Sequence, residues 1–146
     1  EAIINKIKKD MNFVIGEKSA EAIKKNIASA YATDAQMDIC GRNLVTGLPS
    51  EITVTGECVH EALAELFQSI VDSIKIILER TPPEISSDIY KSGLYLTGGS
   101  SRIQNLGQFI YDELGLKVNL CEEPESTVIM GLGAVIEDPQ LAKLAL

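Results

Sequence analysis

Leu94-Tyr95-Leu96-Thr97-Gly98-Gly99-Ser100-Ser101-Arg102-Ile103 reads as a short apolar strand that runs into paired glycines and on toward a helix. Glycines directly after a strand let backbone approach a ligand that a Cβ would repel. A following helix N-terminus offers free amides and positive dipole to an anion or a polar sugar edge. The same spacing also fits a tight strand-to-helix turn with no ligand. The segment is neither a P-loop nor a dinucleotide fingerprint, because no Gly-Lys-Ser/Thr follows and Gly-x-Gly-x-x-Gly is absent. Beyond it, a helix over Asn105 to Leu114 ends at Gly115 as a left-handed C-cap, and a second strand covers Lys117 to Leu120. Ser126 then caps a last helix to Glu137, which Asp138-Pro139 breaks. Strand, helix, strand, helix is the grammar of a parallel α/β unit. Parallel strands ordinarily sit in larger sheets buried on both faces. This half is therefore expected to belong to a sheet whose other strands lie outside the chain.

Upstream, Glu1 to Asn12 reads as a helix, with Ile3, Ile4, Ile7 and Met11 at helical spacings. A turn at Gly16-Glu17-Lys18 precedes a second helix from Ser19 to Ala30, with Ser19 as N-cap and Ala20, Ile23, Ile27 and Ala30 as its apolar stripe. The period then changes. Met37, Ile39, Ile52 and Val54 alternate with polar neighbours, which predicts two strands joined by a loop over Asn43 to Pro49. The longest helix follows, from Glu57 to Glu79, stopped by Pro82-Pro83. Its apolar stripe is wide enough to imply burial on more than one side.

The chain has 146 residues, 45% hydrophobic, 23% charged and 5% aromatic, with no Trp. Its mean hydropathy is +0.11. Such a chain buries about 68–70% of its unfolded surface and needs no metal or disulfide staple; an aliphatic core and an ordered fold are expected. Basic residues number 13 against 21 acidic, a formal net charge of −8. That balance argues against nucleic acid, whose binding rests on clustered Lys and Arg, and against anionic membrane surfaces. No apolar run approaches the roughly 20 residues of a membrane span, and the N-terminus does not read as a signal peptide. Cys40, Cys58 and Cys121 are far apart and without a Cys-x-x-Cys pair. Reduced thiols in a cytosolic protein are expected, with Cys58 and Cys121 as buried small hydrophobes.

Other candidate side chains carry weaker signals. Glu21 and Lys24, three apart on a helix, share a face: either an exposed ion pair or a carboxylate and an ammonium offered together to a ligand. His60, the single histidine, lacks a second His at helical spacing, which excludes a His-Glu-x-x-His metal site and leaves a solvated helix face. Glu122, Glu123 and Glu125 around Pro124 read as a solvated loop. No nucleophile–base arrangement stands out, so a self-sufficient enzyme is not expected.

Taken in order, several blocks resemble the C-terminal part of the MreB family, bacterial actin-like rod-shape-determining proteins. They are 15–24 (IGEKSAEAIK), Ala30-Tyr31, Gly41-Arg42-Asn43-Leu44 with Gly47-Leu48-Pro49, the Pro82-Pro83-Glu84-Ile85 stop and Leu96-Thr97-Gly98-Gly99. Glu123-Pro124, Val128 and Gly131-Leu132-Gly133-Ala134 extend the likeness toward the C-terminus. The resemblance implies an α/β fold, the C-terminal lobe of an actin-like ATPase. That lobe pairs an incomplete ribonuclease-H-like subdomain (1–11 and 57–146) with a small α+β outer subdomain (12–56). It implies that Gly98, Gly99, Ser100 and Ser101 lie on the adenosine and α-phosphate side of a nucleotide. Glu21, Ala22, Ile23 and Lys24 would lie at its adenine and ribose.

The ligand implied is ATP, or GTP in its place, with Mg2+ in the intact protein. Intact family members are slow ATPases. The family's phosphate-binding hairpins and metal-positioning acids do not occur here, so this chain alone is expected neither to hydrolyse ATP nor to hold it tightly. Implied partners are further copies in filaments and proteins of cell shape and wall synthesis, at the inner face of the cytoplasmic membrane, with membrane contact through parts outside this chain. Ser100-Ser101-Arg102-Ile103 departs from the family's loop and is similar to that of DnaK-type chaperones. A nucleotide-binding fragment of such a chaperone is the alternative.

Overall fold

A computed structural model describes residues 1–143. Local chemistry explains most of its elements. Helix α1 (Ala2–Met11) buries Ile3 and Ile7, carries Lys8 and Lys9 at its negative end, and stops at Asn12, left-handed at φ 49°. The chain then crosses as β1 (Phe13–Val14) into α2 (Glu17–Ile27). The N-cap of α2 is Gly16, so Glu17 and Lys18 are helical rather than a turn and Ser19 caps nothing. Ala20, Ile23 and Ile27 nevertheless form the expected buried stripe, joined by Ala30 just past the helix.

The alternating segment forms the long hairpin β2 (Gln36–Asn43) and β3 (Pro49–Thr55). Their antiparallel register sets Ile39 opposite Ile52 and Met37 opposite Val54. Strand β1 adds to the free side of β2, Phe13 opposite Asn43, giving the order β1-β2-β3. Helix α3 (Gly56–Glu79) starts where the Thr55 side chain accepts the Cys58 N–H at 3.3 Å. Of its apolar face, Val59, Leu63, Phe67 and Val71 are buried, whereas Leu66, Ile70 and Ile77 are exposed. One side is covered rather than several.

Pro82-Pro83 does end α3, but Pro83 also opens α4 (Pro83–Ser92), because the fixed φ and missing N–H of proline suit a first helical turn. Gly93 follows at φ +80°, and a Cβ there would meet the Lys117 carbonyl at 2.4 Å. Only glycine lets β4 (Leu94–Leu96) lie beside β5 (Val118–Leu120). The two strands are parallel, Leu94 opposite Val118, joined by a 3-10 turn (Gly99–Arg102) and α5 (Leu106–Leu114), which ends at left-handed Gly115. Helix α6 (Thr127–Glu137) follows, and Asp138-Pro139 breaks it only to start a short α7 (Pro139–Ala142).

One apolar core joins these parts. Ile7, Phe13, Ile23, Val54 and Val59 belong to one cluster of buried side chains, which Phe67, Leu106 and Ile110 extend to α5. Each such side chain contributes about 1.5–3 kcal/mol by leaving water. The far side is different: no side chain of α6 is buried, and Val128, Ile129, Met130, Leu132 and Ile136 face outward. Cys58 and Cys121 are half-buried rather than buried; burial pushes the Cys58 thiol up.

Candidate functional site

Helical periodicity sorts α2 into two faces. Ala20, Ile23 and Ile27 point to the core, and Glu21, Lys24 and Lys25 line a cleft of about 520 Å³. The Glu21 carboxylate lies 3.9 Å from Lys25 Nζ, one residue beyond the Lys24 expected. The opposite wall is the 3-10 turn, which contributes Gly99, Ser100, Arg102 and Ile103. Gly98 makes that turn possible: at φ +83° it reverses the chain after β4, a conformation that disfavours any side chain. Its carbonyl then accepts both the Ser101 N–H at 3.1 Å and the Ser101 hydroxyl at 2.7 Å.

A third segment closes the rim. The Gly98 N–H donates to the Pro124 carbonyl at 2.7 Å, drawing the turn between β5 and α6 against the glycine loop. There Arg102 forks onto Glu125, Nη2 to Oε2 at 2.9 Å and Nε to Oε1. The guanidinium holds the Glu125 carboxyl below the ordinary carboxylate range, and the carboxylate raises Arg102 in turn. A second cavity, about 470 Å³, shares Glu21, Lys24, Ser100 and Ile103 with the first and continues over Ile3, Leu63, Phe67 and Ile70.

The two walls are tied together behind the cleft. The Ala30 N–H donates to the Gln104 carbonyl at 2.9 Å, and Asn105 Nδ2 donates to Ser29 Oγ at 3.0 Å. Next to this joint the Tyr31 hydroxyl donates to Asp112, its ring edge against Phe109 with centroids 6.0 Å apart. The hydrogen bond to Asp112, with burial and that carboxylate's charge, pushes the Tyr31 phenol up to about 12.

Of the residues singled out from sequence, Glu21, Lys24, Gly99 and Ser100 line this one cleft. Gly98 shapes it from behind, and Ser101 is buried with its hydroxyl spent on Gly98. Ala22 is half-buried and outside the lining, and Ile23 is fully buried in the core. Lys25, Arg102, Ile103 and Glu125 are lining residues the sequence did not mark. Glu125 looked like a solvated loop because its partner, 23 residues away, is brought to it only by the fold. His60 differs from expectation too: its Nδ1 is buried without a hydrogen-bond partner rather than solvated. A Cβ on Gly99 would sit in ordinary contact with Glu125 Cγ, at 3.6 Å. Among the described residues no group of three or more His, Cys, Asp or Glu is placed to hold a metal ion.

Fold and cleft together define an actin-like domain of the α/β class. Superposition on MreB5 of Spiroplasma citri bound to ADP gives a TM-score of 0.89 at 33% identity, over 93% of this chain and 42% of that one. The subunit of the MamK double helical filament shares the fold, at TM-score 0.78 and 21% identity, over 94% and 42% of the respective chains. Residues 1–144 match the model of the MreB/Mbl protein family, and the chain belongs to that family. It is 40% identical to the cell shape-determining protein Mbl of Bacillus subtilis across 93% of its own length, and spans 41% of that relative. Among the described residues no helix is long and apolar enough to cross a membrane.

Proposed function

We propose that this chain supplies the nucleoside-side wall of a nucleotide site in a bacterial cytoskeletal protein. That protein would polymerise in a nucleotide-dependent way and direct cell shape and wall synthesis. The observation that carries the reading is the cleft itself. Glu21 and Lys24 of α2 face Gly99 and Ser100 of the turn after β4 across about 520 Å³. Glu21 offers an acceptor to ribose hydroxyls or base amino groups, Lys24 a donor, and the glycine turn a close backbone surface for the sugar–phosphate junction. The ligand is ATP or GTP. Mg2+ would be held by the nucleotide's phosphates and by groups other than these. The ADP-bound relative supports this reading, and the MamK filament supports self-association.

In the same reading, 12–56 is a small outer subdomain carrying α2 and the β1-β2-β3 sheet, and 1–11 with 57–146 is part of the inner one. Glu21, Ala22, Ile23 and Lys24 form the helix segment at the nucleoside; Ile23 acts by seating that helix on the core. The protein works in the cytoplasm at the inner face of the membrane, with cell-shape and wall-synthesis proteins as partners. With the family established, the chaperone alternative is set aside. In the intact protein, Glu21→Ala and Gly99→Val should each weaken nucleotide binding, the valine by filling the cleft; unchanged affinity in both rejects the assignment. Pelleting with ATP and filaments in electron micrographs are expected. Peptide-stimulated turnover without pelleting would sink the filament reading.

A further inference from the structure

The two cleft walls meet at a joint through which both chains run in the same direction, because Ser29 and Gln104 pair as a parallel bridge. On both chains the cleft-lining residues come before the joint, Glu21 and Lys24 on one, Gly99 and Ser100 on the other. On both chains the partners of one further bond come after it, Tyr31 and Asp112. The cleft and that bond therefore flank the joint, and a tilt of either wall about it alters the spacing at both ends. The bond is well supported. Gln108, one turn earlier on α5, donates through Nε2 to Asp112 Oδ1 at 2.7 Å and leaves Oδ2 to the Tyr31 hydroxyl. The Tyr31 ring sets its edge on Phe109, whose centroid lies 6.1 Å from that of Phe67 in α3. At the joint itself, Ser29 Oγ accepts both the Tyr31 N–H at 3.2 Å and Asn105 Nδ2. Asn105 is left-handed at φ 61°, a backbone region uncommon outside glycine, and spends its side chain across the joint instead of capping α5.

We propose that Tyr31 and Asp112 are positioning residues for the cleft: their hydrogen bond, beyond the Ser29–Gln104 joint, holds the α2 wall at its spacing from the Gly99–Arg102 turn. This role rests on the nucleotide reading of the cleft. Neither side chain lines it. Walls held at one spacing before ligand arrives need no ordering when it binds, so losing the bond is felt as lost affinity without any lost contact to ligand. The effect is bounded by the net contribution of one exposed hydrogen bond, equivalent to about 2- to 10-fold in affinity.

The test is ADP titration of the intact protein, well below its unfolding transition, in wild type, Tyr31→Phe, Asp112→Ala, the double variant and Glu21→Ala. Tyr31→Phe and Asp112→Ala should each weaken ADP about 2- to 10-fold. The double variant should lose no more than the larger single loss, since all three lack the same bond. The Ala30 amide, which donates to Gln104 across the joint, should exchange faster with solvent in all three. Residues serving stability alone would lower the unfolding temperature and leave the affinity of the folded protein unchanged. Unchanged or tighter binding in both single variants therefore overturns the proposal. Losses that add in the double variant overturn it too, because each side chain would then act by a separate route. In either case, weakened binding in Glu21→Ala leaves the cleft assignment standing. Wild-type protein that does not bind ADP removes the nucleotide reading and this inference with it.

Discussion

Glu21 and Ile23 sit two positions apart on α2 and do opposite work, one facing the cleft and the other fully buried. Ile23→Ala should therefore cost about 2–5 kcal/mol in denaturant unfolding, the range for emptying a packed core site. Gly98 is held at φ 83° and ψ 159°, so Gly98→Ala should cost about 1–3 kcal/mol by the same measurement, purely through backbone strain. Tyr31 gives a pH signature. Its phenol is raised above the ordinary value to about 12 by Asp112, so protonated Tyr31 is favoured by folding. That contribution is fully present below about pH 10, the ordinary phenol value, and is lost as pH rises through about 12. Tyr31→Phe should flatten the alkaline limb of the stability profile. Glu125 has the opposite sign. Its depressed carboxyl favours folding above the ordinary glutamate range, and that contribution is lost on acidification through the lowered value. Wild type and Glu125→Gln should thus converge in thermal stability at low pH.

At the level of elements, α3 depends on its cap. Thr55→Ala removes the acceptor for the Cys58 N–H and should lower stability by about 0.5–2 kcal/mol in thermal unfolding, with serine restoring most of it. Helix α6 is the contrasting case. None of its side chains is buried, so its amides should exchange with solvent much faster than those of α3 around Phe67 in hydrogen exchange. The elements legible in the sequence were those with a strong period. The stripe Ile3 and Ile7, the alternation over β2 and β3, and the long run of α3 all appear with boundaries within two residues. Three features without such a period were not legible. Strand β1 is two residues defined by pairing with Asn43 and Arg42. Helix α4 buries no side chain and so shows no core-facing stripe, and Gly16 caps α2 through its extended backbone while Ser19 only looks like a cap.

For the molecule as a whole, the candidate site was half legible. The glycine turn and the α2 face carry local signals, a strand followed by glycines and charges on one helical face. Arg102 with Glu125, and Ser29 with Asn105, are tertiary pairs whose members mean nothing apart. The parallel pair β4-β5 was also legible, from the order strand, helix, strand. The tie between the cleft walls bears on how the protein is made. Ser29 and Asn105 are 76 residues apart, so the α2 wall leaves the ribosome roughly 4–15 s before its counterpart at ordinary elongation rates. Through that interval the core of α1, α2 and the hairpin can assemble while the cleft does not yet exist. The rim closes later still, when Pro124 and Glu125 reach Gly98 and Arg102; on the function proposed above, nucleotide would meet only chains that have closed both contacts, and would retain finished molecules by mass action rather than guide unfinished ones.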